Sequence, residues 1–528
     1  MSVNIQHDAV PPVQLSELLR VLEPLEFVGT VDDSLMIHGI ASDSCKVFPG
    51  FVFVAIRGFA FDGHRFMLQA ATAGASVVLC EDFPQEAMPH LLYVKVPDTR
   101  IALAAVSGVF YRPGADSLLL VGVTGTNGKT TTARLICAMC SNLGLPAGYI
   151  GTNLCLIGDE RIPLERTTPE AHELHSLFYR MYAAGIRVVV MEVSSHALVL
   201  HRVHALRFRV AVFTNLTTEH LDFHHTMEAY AQAKQRLFSR LDPAGGAVFN
   251  GDDPYAATMM EAVPPDRRYL CSLFPFSTGQ TDGAHLLQAH IGRSALSGSS
   301  IAIQVGNQMF PMEVSLPGRY NVMNVLEAVA AGLLLGFRPE MAVAALETAP
   351  HIDGRMERAG GPGSGASVFI DYAHTPDALS KALSTLRELR EPGGQLVVVF
   401  GCGGNRDQLK RPVMGQIACE LADRVILTSD NPRNEDPERI MDEIASGMPS
   451  GCCQRIRDRR EAVSSALASL ADHDILLIAG KGHERYQEVA GVRYHFADQE
   501  VVEEYYRNNS CNNAALPAKE SRCRPGDC

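Results

Sequence analysis

What the chain lacks narrows its class first. No run of about 18 apolar residues, the length a membrane-crossing helix needs, occurs in its 528 residues. The opening residues carry Asp8, Glu17 and Glu23 and lack the charged-then-apolar layout of a secretory leader. Positive charge is in deficit: the formal net charge is −13, which argues against nucleic acid as the main partner. An anionic small molecule stays open, because local Lys and Arg decide that. No internal repeat occurs, and no N-K-x-D segment of the guanine-reading kind. The thirteen cysteines are an odd number, scattered apart from the adjacent Cys452 and Cys453. Without a leader this predicts a cytoplasmic chain with free thiols.

What is there is ordinary in bulk. Hydrophobic residues make up 46% and charged residues 20%, the balance of a soluble globular protein. At roughly 100–200 residues per domain, three domains are expected.

The chain is organised around LLLVGVTGTNGKTTT, Leu118 to Thr132. Leu118–Thr124 is apolar except for Gly122 and Thr124, which suits a strand buried on both faces. Gly125, Thr126, Asn127, Gly128, Lys129, Thr130 and Thr131 follow, and then a helical pattern. Such a loop turns backbone N–H groups inward to cradle phosphate oxygens at a helix N-terminus. Lys129 would pair with the β/γ-phosphates and the Thr130 hydroxyl would take Mg²⁺. The strict G-x-x-x-x-G-K-[ST] spacing asks for glycine where this chain has Val123; Gly122 and Gly125 bracket the place.

The periodicity predicts an α/β protein: a smaller N-terminal α/β domain over 1–113, a central P-loop domain with a parallel sheet over 114–349, and a third domain over 350–508. Residues 271–315 read as a small antiparallel piece, and 509–528 as a disordered tail. In the third block, strands at Val368–Ile370, Gln395–Phe400, Arg424–Thr428 and Asp474–Ile478 end in DYAHTPD, GCGGNRD, SDNPRNEDP and AGKGHE. Ligands of open α/β sheets gather outside the carboxyl ends of strands, so four such endings predict one shared cleft.

Individual residues suggest chemistry. Glu192 ends the strand of RVVVMEVSSH and could hold Mg²⁺; His220 is a second candidate ligand or a solvated loop histidine. Lys234, in AYAQAKQRLF, reads from spacing alone as a solvated surface lysine. Asn324 could bond an adenine or cap a helix. Arg355 could reach a phosphate and Asp371 a ribose, or the two form an ion pair. Arg406 and Arg433 offer planar forks suited to carboxylates, Pro432 stiffens the Asp430–Arg433 loop, and Gly480 and Glu484 add close backbone approach and a negative charge. Together these would suit a zwitterion carrying an additional carboxylate.

GTNGKTT, MEVSSHALVLHRV, NLTTEHLDFH, AYAQAK, DYAHTPD, GCGGNRD, DNPRNEDP and AGKGHE, in that order across roughly residues 37–505, resemble the Mur ligases. The resemblance implies a substrate-uridine domain, a central ATPase domain and a Rossmann-like C-terminal domain. It implies a monomeric cytoplasmic ligase of peptidoglycan precursor synthesis. ATP would activate the D-glutamyl carboxylate of UDP-N-acetylmuramoyl-L-alanyl-D-glutamate as an acyl phosphate, which a diamino acid then attacks. By position, Gly125–Thr131, Asn324, Arg355 and Asp371 match nucleotide contacts. Thr130, Glu192 and His220 match Mg²⁺ ligands, and Lys129, His220 and Lys234 match the catalytic set. Lys234 matches a lysine that CO₂ converts to a Mg²⁺-binding carbamate, which replaces the surface reading. Ser42, Ser44, Phe59, Ala60, Phe61, Thr167, Thr168, Ser194 and Arg202 match contacts to the UDP-linked substrate. Arg406, Asp430, Asn431, Pro432, Arg433, Gly480 and Glu484 match a diamino-acid pocket, and the DNPR form resembles members that add meso-diaminopimelate.

Cys45, Arg166, Leu200 and Glu219 depart from the family pattern, which touches individual UDP-substrate contacts. The competing readings are an L-lysine-adding ligase or folylpolyglutamate synthetase of the same superfamily, a P-loop NTPase switch, and a non-catalytic nucleotide-binding scaffold.

Overall fold

Valine-rich runs become strands buried on both faces, and their polar endings fall at one edge of each sheet. The structure is a computed structural model that describes residues 10–59, 61–276, 283–360 and 365–514, with side chains to 508. The chain divides into two compact units. One comprises Met1–Ile291, Ile301–Glu313 and Asn321–Pro350; the other comprises Gly292–Ser300, Val314–Tyr320 and His351–Cys528. The first unit therefore takes in most of both segments expected over 1–113 and 114–349.

Two sheets organise the first unit. The N-terminal one runs Glu26–Val28, Leu92–Lys95, Val77–Cys80, Phe51–Val54, Gly39–Ala41, parallel except for its first strand. The larger one has Leu119–Thr124 at its centre, between Val188–Glu192 and Phe208–Phe213. All three are parallel, with Glu192 opposite Val123 and Phe213 opposite Thr124, so their carboxyl ends lie level. The piece expected to be antiparallel begins otherwise: Tyr269–Ser272 pairs in parallel with residues 285–288. The intervening 273–284 is long enough for the crossover that parallel pairing requires.

In the second unit the sheet order is Glu357–Ala359, Ser367–Asp371, Ile475–Ala479, Leu396–Phe400, Arg424–Leu427, Cys453–Arg455. Only the first of these is antiparallel to its neighbour. The strands before DYAHTPD, AGKGHE, GCGGNRD and SDNPRNEDP are therefore consecutive in space. Leu396, Val398 and Phe400 pack on one side and Val397 and Val399 on the other, which is why the run carries no polar alternation.

Two expectations change. The final helix spans Asp498–Ala514 and so passes Asn509, where the tail was expected to start; a helix already nucleated propagates at one bond per added residue, even through asparagines. Residues 515–528 lie outside the described residues. Cys419 and Cys452 form a disulfide with Cα atoms 6.3 Å apart, so the thiols are not all free. Their closeness is set by folding across 33 residues and leaves no trace in the spacing. Cys137 and Cys140, spaced C-x-x-C on the helix Lys129–Asn142, are buried thiols. Burial pushes them up to about 11 and about 12, which makes them packing residues.

Candidate active site

The level strand ends of the first unit carry its site. Thr124 closes the central strand, and 125–128 turn the chain into the helix Lys129–Asn142. Gly125 has φ 153° and Gly128 φ 85°. A Cβ at Gly125 would lie 1.9 Å from Thr214 Oγ1, and one at Gly128 2.6 Å from Asn324 Oδ1, so both positions need glycine. The end of the neighbouring strand pins the turn. Asn215 O accepts from the Thr126 amide and Asn215 Oδ1 from the Asn127 amide, each at 2.9 Å, and Thr214 Oγ1 donates to Asn127 O at 2.5 Å. Sequence reasoning assigned no role to Thr214 or to Asn215, although Asn215 opens the quoted NLTTEHLDFH and Thr214 precedes it at a strand end.

Two amines converge on one carbonyl. Lys129 Nζ donates to Gly125 O at 3.1 Å and Thr126 O at 2.8 Å. Lys234 donates to the same Gly125 O at 2.7 Å, with its Nζ 4.5 Å from the centre of the Tyr230 ring. Lys234 is 1% exposed, which overturns the surface reading that spacing alone suggested. It shares the buried side of the helix Met227–Gln235 with Tyr230, Ala231 and Ala233. Burial first, then the Lys129 charge, push its amine well below the usual lysine range, with Glu219 opposing.

Glu192 is the hub of the buried polar groups. Oε1 accepts from Thr130 Oγ1 at 2.8 Å, Tyr149 OH at 2.5 Å and the Thr152 amide at 3.0 Å; Oε2 accepts from Thr152 Oγ1 at 3.2 Å. Its own carbonyl accepts from Thr168 Oγ1 at 2.9 Å, and that oxygen accepts from the Ser194 amide at 3.1 Å. Thr167 reaches Thr152 at 3.2 Å. Arg202 donates to Thr168 O at 3.0 Å and pairs with Glu170 at 2.7 Å. The structure thus brings Thr130, Thr167, Thr168, Ser194 and Arg202 together around Glu192, and adds Tyr149 and Thr152.

His220 has φ 57° and lies edge-on to His196, ring centres 4.8 Å apart. Loss of water around it pushes its imidazole down to about 4, against the pull of Glu219, and so holds it neutral at pH 7. Asn324 is buried, 3.1 Å from Asn321 Oδ1 and 3.3 Å from Thr132 Oγ1. Thr132 Oγ1 also donates to Glu327 at 2.9 Å, a fully buried carboxyl that desolvation raises well above its usual range. Ser44 bonds Gln69 at 3.0 Å, and Ser42 is half-buried. Phe59 and Phe61 are exposed, with Phe59 edge-on to Phe223 at 5.7 Å; Ala60 lies outside the described residues. Arg166 lies 4.0 Å from Glu173.

In the second unit the strand ends hold a denser set. Asn431 Nδ2 donates to Glu484 at 2.8 Å, and Lys481 Nζ lies 3.1 Å from Asn431 Oδ1 and 3.2 Å from Glu484. Sequence reasoning passed over Lys481, which stands inside the quoted AGKGHE. Arg433 donates to Gly404 O at 2.8 Å and lies 3.7 Å from Glu488. Gly480, φ 110°, leaves room for Asp430 Oδ2, which a Cβ there would meet at 2.7 Å. Arg406 is exposed and neighbours Arg433 beside Gly403. Arg355 stacks 4.7 Å over the Tyr372 ring. Asp371 accepts from the Met356 and Ala373 amides at 2.7 and 2.8 Å; burial raises its carboxyl, with Arg355 opposing. Planar forks beside buried carboxylates are groups that suit a ligand carrying both charge signs.

Three family patterns match in succession: "Mur ligase family, catalytic domain" over residues 36–111, "Mur ligase middle domain" over 123–332, and "Mur ligase, glutamate ligase domain" over 354–482. The UDP-N-acetylmuramoyl-L-alanyl-D-glutamate--2,6-diaminopimelate ligase of Chlorobium phaeobacteroides is 49% identical over 97% of this chain and 100% of its own length. The ligase of the same name from Chlorobaculum tepidum is 52% identical over 94% and 98%. A solved structure of a ligase of that name superposes with TM-score 0.66 at 32% identity, covering 95% of this chain and all of its own. With the glycine loop, its paired lysines and these full-length likenesses in view, the chain belongs to the Mur ligase family.

Proposed function

We propose that this chain is an ATP-dependent amide ligase of peptidoglycan precursor synthesis. It joins an amine of meso-2,6-diaminopimelate to the D-glutamyl carboxylate of UDP-N-acetylmuramoyl-L-alanyl-D-glutamate. The observation that carries the reading is the set Asn431, Arg433, Lys481 and Glu484 at the carboxyl ends of Arg424–Leu427 and Ile475–Ala479, on either side of Leu396–Phe400, since a zwitterion with a further carboxylate needs a fork and acids together. The full-length relatives named for this reaction support it. Residues 1–113 serve the UDP end, 114–349 the nucleotide and 350–508 the amino acid, and the chain works as a cytoplasmic monomer.

A carboxylate is a poor electrophile until phosphate replaces its oxygen as leaving group. The loop Gly125–Thr131 holds the triphosphate, and Lys129 moves from the loop carbonyls to the β/γ-phosphates, where it offsets developing charge. Asn324, Arg355 and Asp371 position the nucleotide. Ser42, Ser44, Phe59–Phe61, Thr167, Thr168, Ser194 and Arg202 hold the UDP-linked substrate. Arg406, Asp430–Arg433, Gly480 and Glu484 hold the amino acid and orient its attacking amine.

The oxygens of Thr130 and Glu192 fit magnesium, a hard cation; with His220 and a carbamate on Lys234 they would hold it, and it would neutralise phosphate charge. Among the described residues no three His, Cys, Asp or Glu side chains converge as a metal cluster. A carbamate on Lys234 would supply a further oxygen ligand, and the burial that pushes this amine well below the usual lysine range favours the form that reacts with CO₂.

Phosphate release should require ATP, the UDP-linked dipeptide and a diamino acid together, and should favour meso-diaminopimelate over L-lysine. Release with ATP alone would favour an NTPase switch, and a lysine preference would refute the diaminopimelate assignment. A second result concerns Arg433→Ala. Losing a charge-assisted fork, worth roughly 1.5–3 kcal/mol, raises the KM for diaminopimelate by about 10–100-fold and leaves that for ATP within about twofold. Equal weakening of both would count against the pocket.

A further inference from the structure

The conformation of Arg433 is held from outside the pocket. Arg433 has φ 52°, and so does Asn405 in the facing loop. Non-glycine residues rarely adopt that region, and they persist there only where neighbours fix them. The two loops are laced together. Gly404 N donates to Asn431 O at 2.9 Å, Asn434 N to Asn405 Oδ1 at 3.0 Å, and Asn405 N to the Glu435 carboxylate. A Cβ at Gly404 would stand 1.9 Å from Pro432 O, so the backbones touch. Arg433 Nη1 reaches back to Gly404 O at 2.8 Å.

One buried guanidinium ties these parts together. Arg411, in the helix Lys410–Leu421, has its side chain 0% exposed. Its fork meets Glu435 twice, Nη1 to Oε2 at 2.8 Å and Nη2 to Oε1 at 3.1 Å. Nη2 also donates to Gly403 O at 3.1 Å, and Nη1 to Glu443 at 2.6 Å. Gly403 adjoins the carbonyl on which Arg433 rests, and Glu435 lies two residues beyond Arg433. A buried ion pair is a poor way to add stability, but a planar fork with three separate acceptors fixes directions that an apolar side chain cannot.

We propose that Arg411 and Glu435 are positioning residues for ligand recognition. They lock the 403–405 and 430–435 loops in one register, aim the Arg433 guanidinium, and so set the preference for an amino acid bearing a second carboxylate. Neither touches the ligand. The inference rests on the ligase reading given above.

The test uses the full chain with Arg411→Lys, Glu435→Gln and, as control, Arg439→Gln, which removes an exposed pair to Glu443. Lysine keeps the charge but cannot span Gly403, Glu435 and Glu443 as a fork. Glutamine keeps an acceptor for Asn405 but loses the ion pair. Arg411→Lys is expected to raise the KM for diaminopimelate about tenfold, with the KM for ATP and kcat within about twofold. The diaminopimelate-to-lysine selectivity should fall by a similar factor. Glu435→Gln should move the same two readouts in the same direction, and Arg439→Gln should move neither.

A merely structural role would lower the melting temperature and slow both amino acids alike. Unchanged selectivity in Arg411→Lys and Glu435→Gln, with the parent enzyme active, overturns this inference and leaves the ligase reading standing. If Arg411→Lys does not fold, Glu435→Gln decides alone. A parent chain that ligates no diamino acid overturns both.

Discussion

Lys234→Ala is expected to lower kcat by about 10²–10³-fold, the usual cost of deleting one group that stabilises transition-state charge, and added bicarbonate or a short carboxylate such as acetate should partly restore it. The side chain has no solvent-facing work to lose, being 1% exposed. Its amine rests on Gly125 O at 2.7 Å, the carbonyl that Lys129 also uses. Burial first, and then the neighbouring Lys129 charge, push the Lys234 amine well below the usual lysine range, which favours the uncharged form that a carbamate would need. Alanine leaves space where a small carboxylate can lodge and return the missing oxygens. Rescue is what separates this role from packing, because a packing defect lowers the melting temperature and ignores acetate. Full turnover by Lys234→Ala would refute the carbamate role.

The strand ends were legible because burial on both faces leaves an uninterrupted apolar run, and the run stops at the polar turns that form the candidate site. Val188–Glu192 and Leu396–Phe400 are such runs, and the polar words after them named most of the candidate site. Lys234 was not legible from spacing, since one lysine in a mixed helix looks the same on either face; only the family resemblance picked it out. Asn215 escaped because its work is to meet amides 88 residues earlier in the chain. Glu327 resembles any helix-surface acid until Thr132, on another helix, is seen beside it. Arg411 lies in KRP, where Pro412 signals only the start of a helix, and its three acceptors come from three separate segments. Spacing records which residues share an element's face. It does not record which elements later pack against that face.

Lys129→Met has a comparable effect with a different signature. The methionine stem fills the same volume, and Lys129 is only half-buried, so the fold should hold. The ammonium in the free chain lies on Gly125 O at 3.1 Å and Thr126 O at 2.8 Å, and the loop beneath it is fixed independently by Thr214 and Asn215. Losing the amine therefore removes a charge without collapsing the loop. In phosphoryl transfer negative charge builds on the departing ADP oxygen toward the transition state, so a lysine at the β/γ-phosphates would bind that state more tightly than ATP itself. The expected result is a kcat about 10²–10³-fold lower, with ADP affinity falling much less and the melting temperature within a few degrees of the parent's. Acetate should give no rescue here, since the missing group is a cation. A variant whose KM for ATP rises steeply while kcat holds would assign Lys129 to ground-state binding and take it out of the phosphoryl-transfer step.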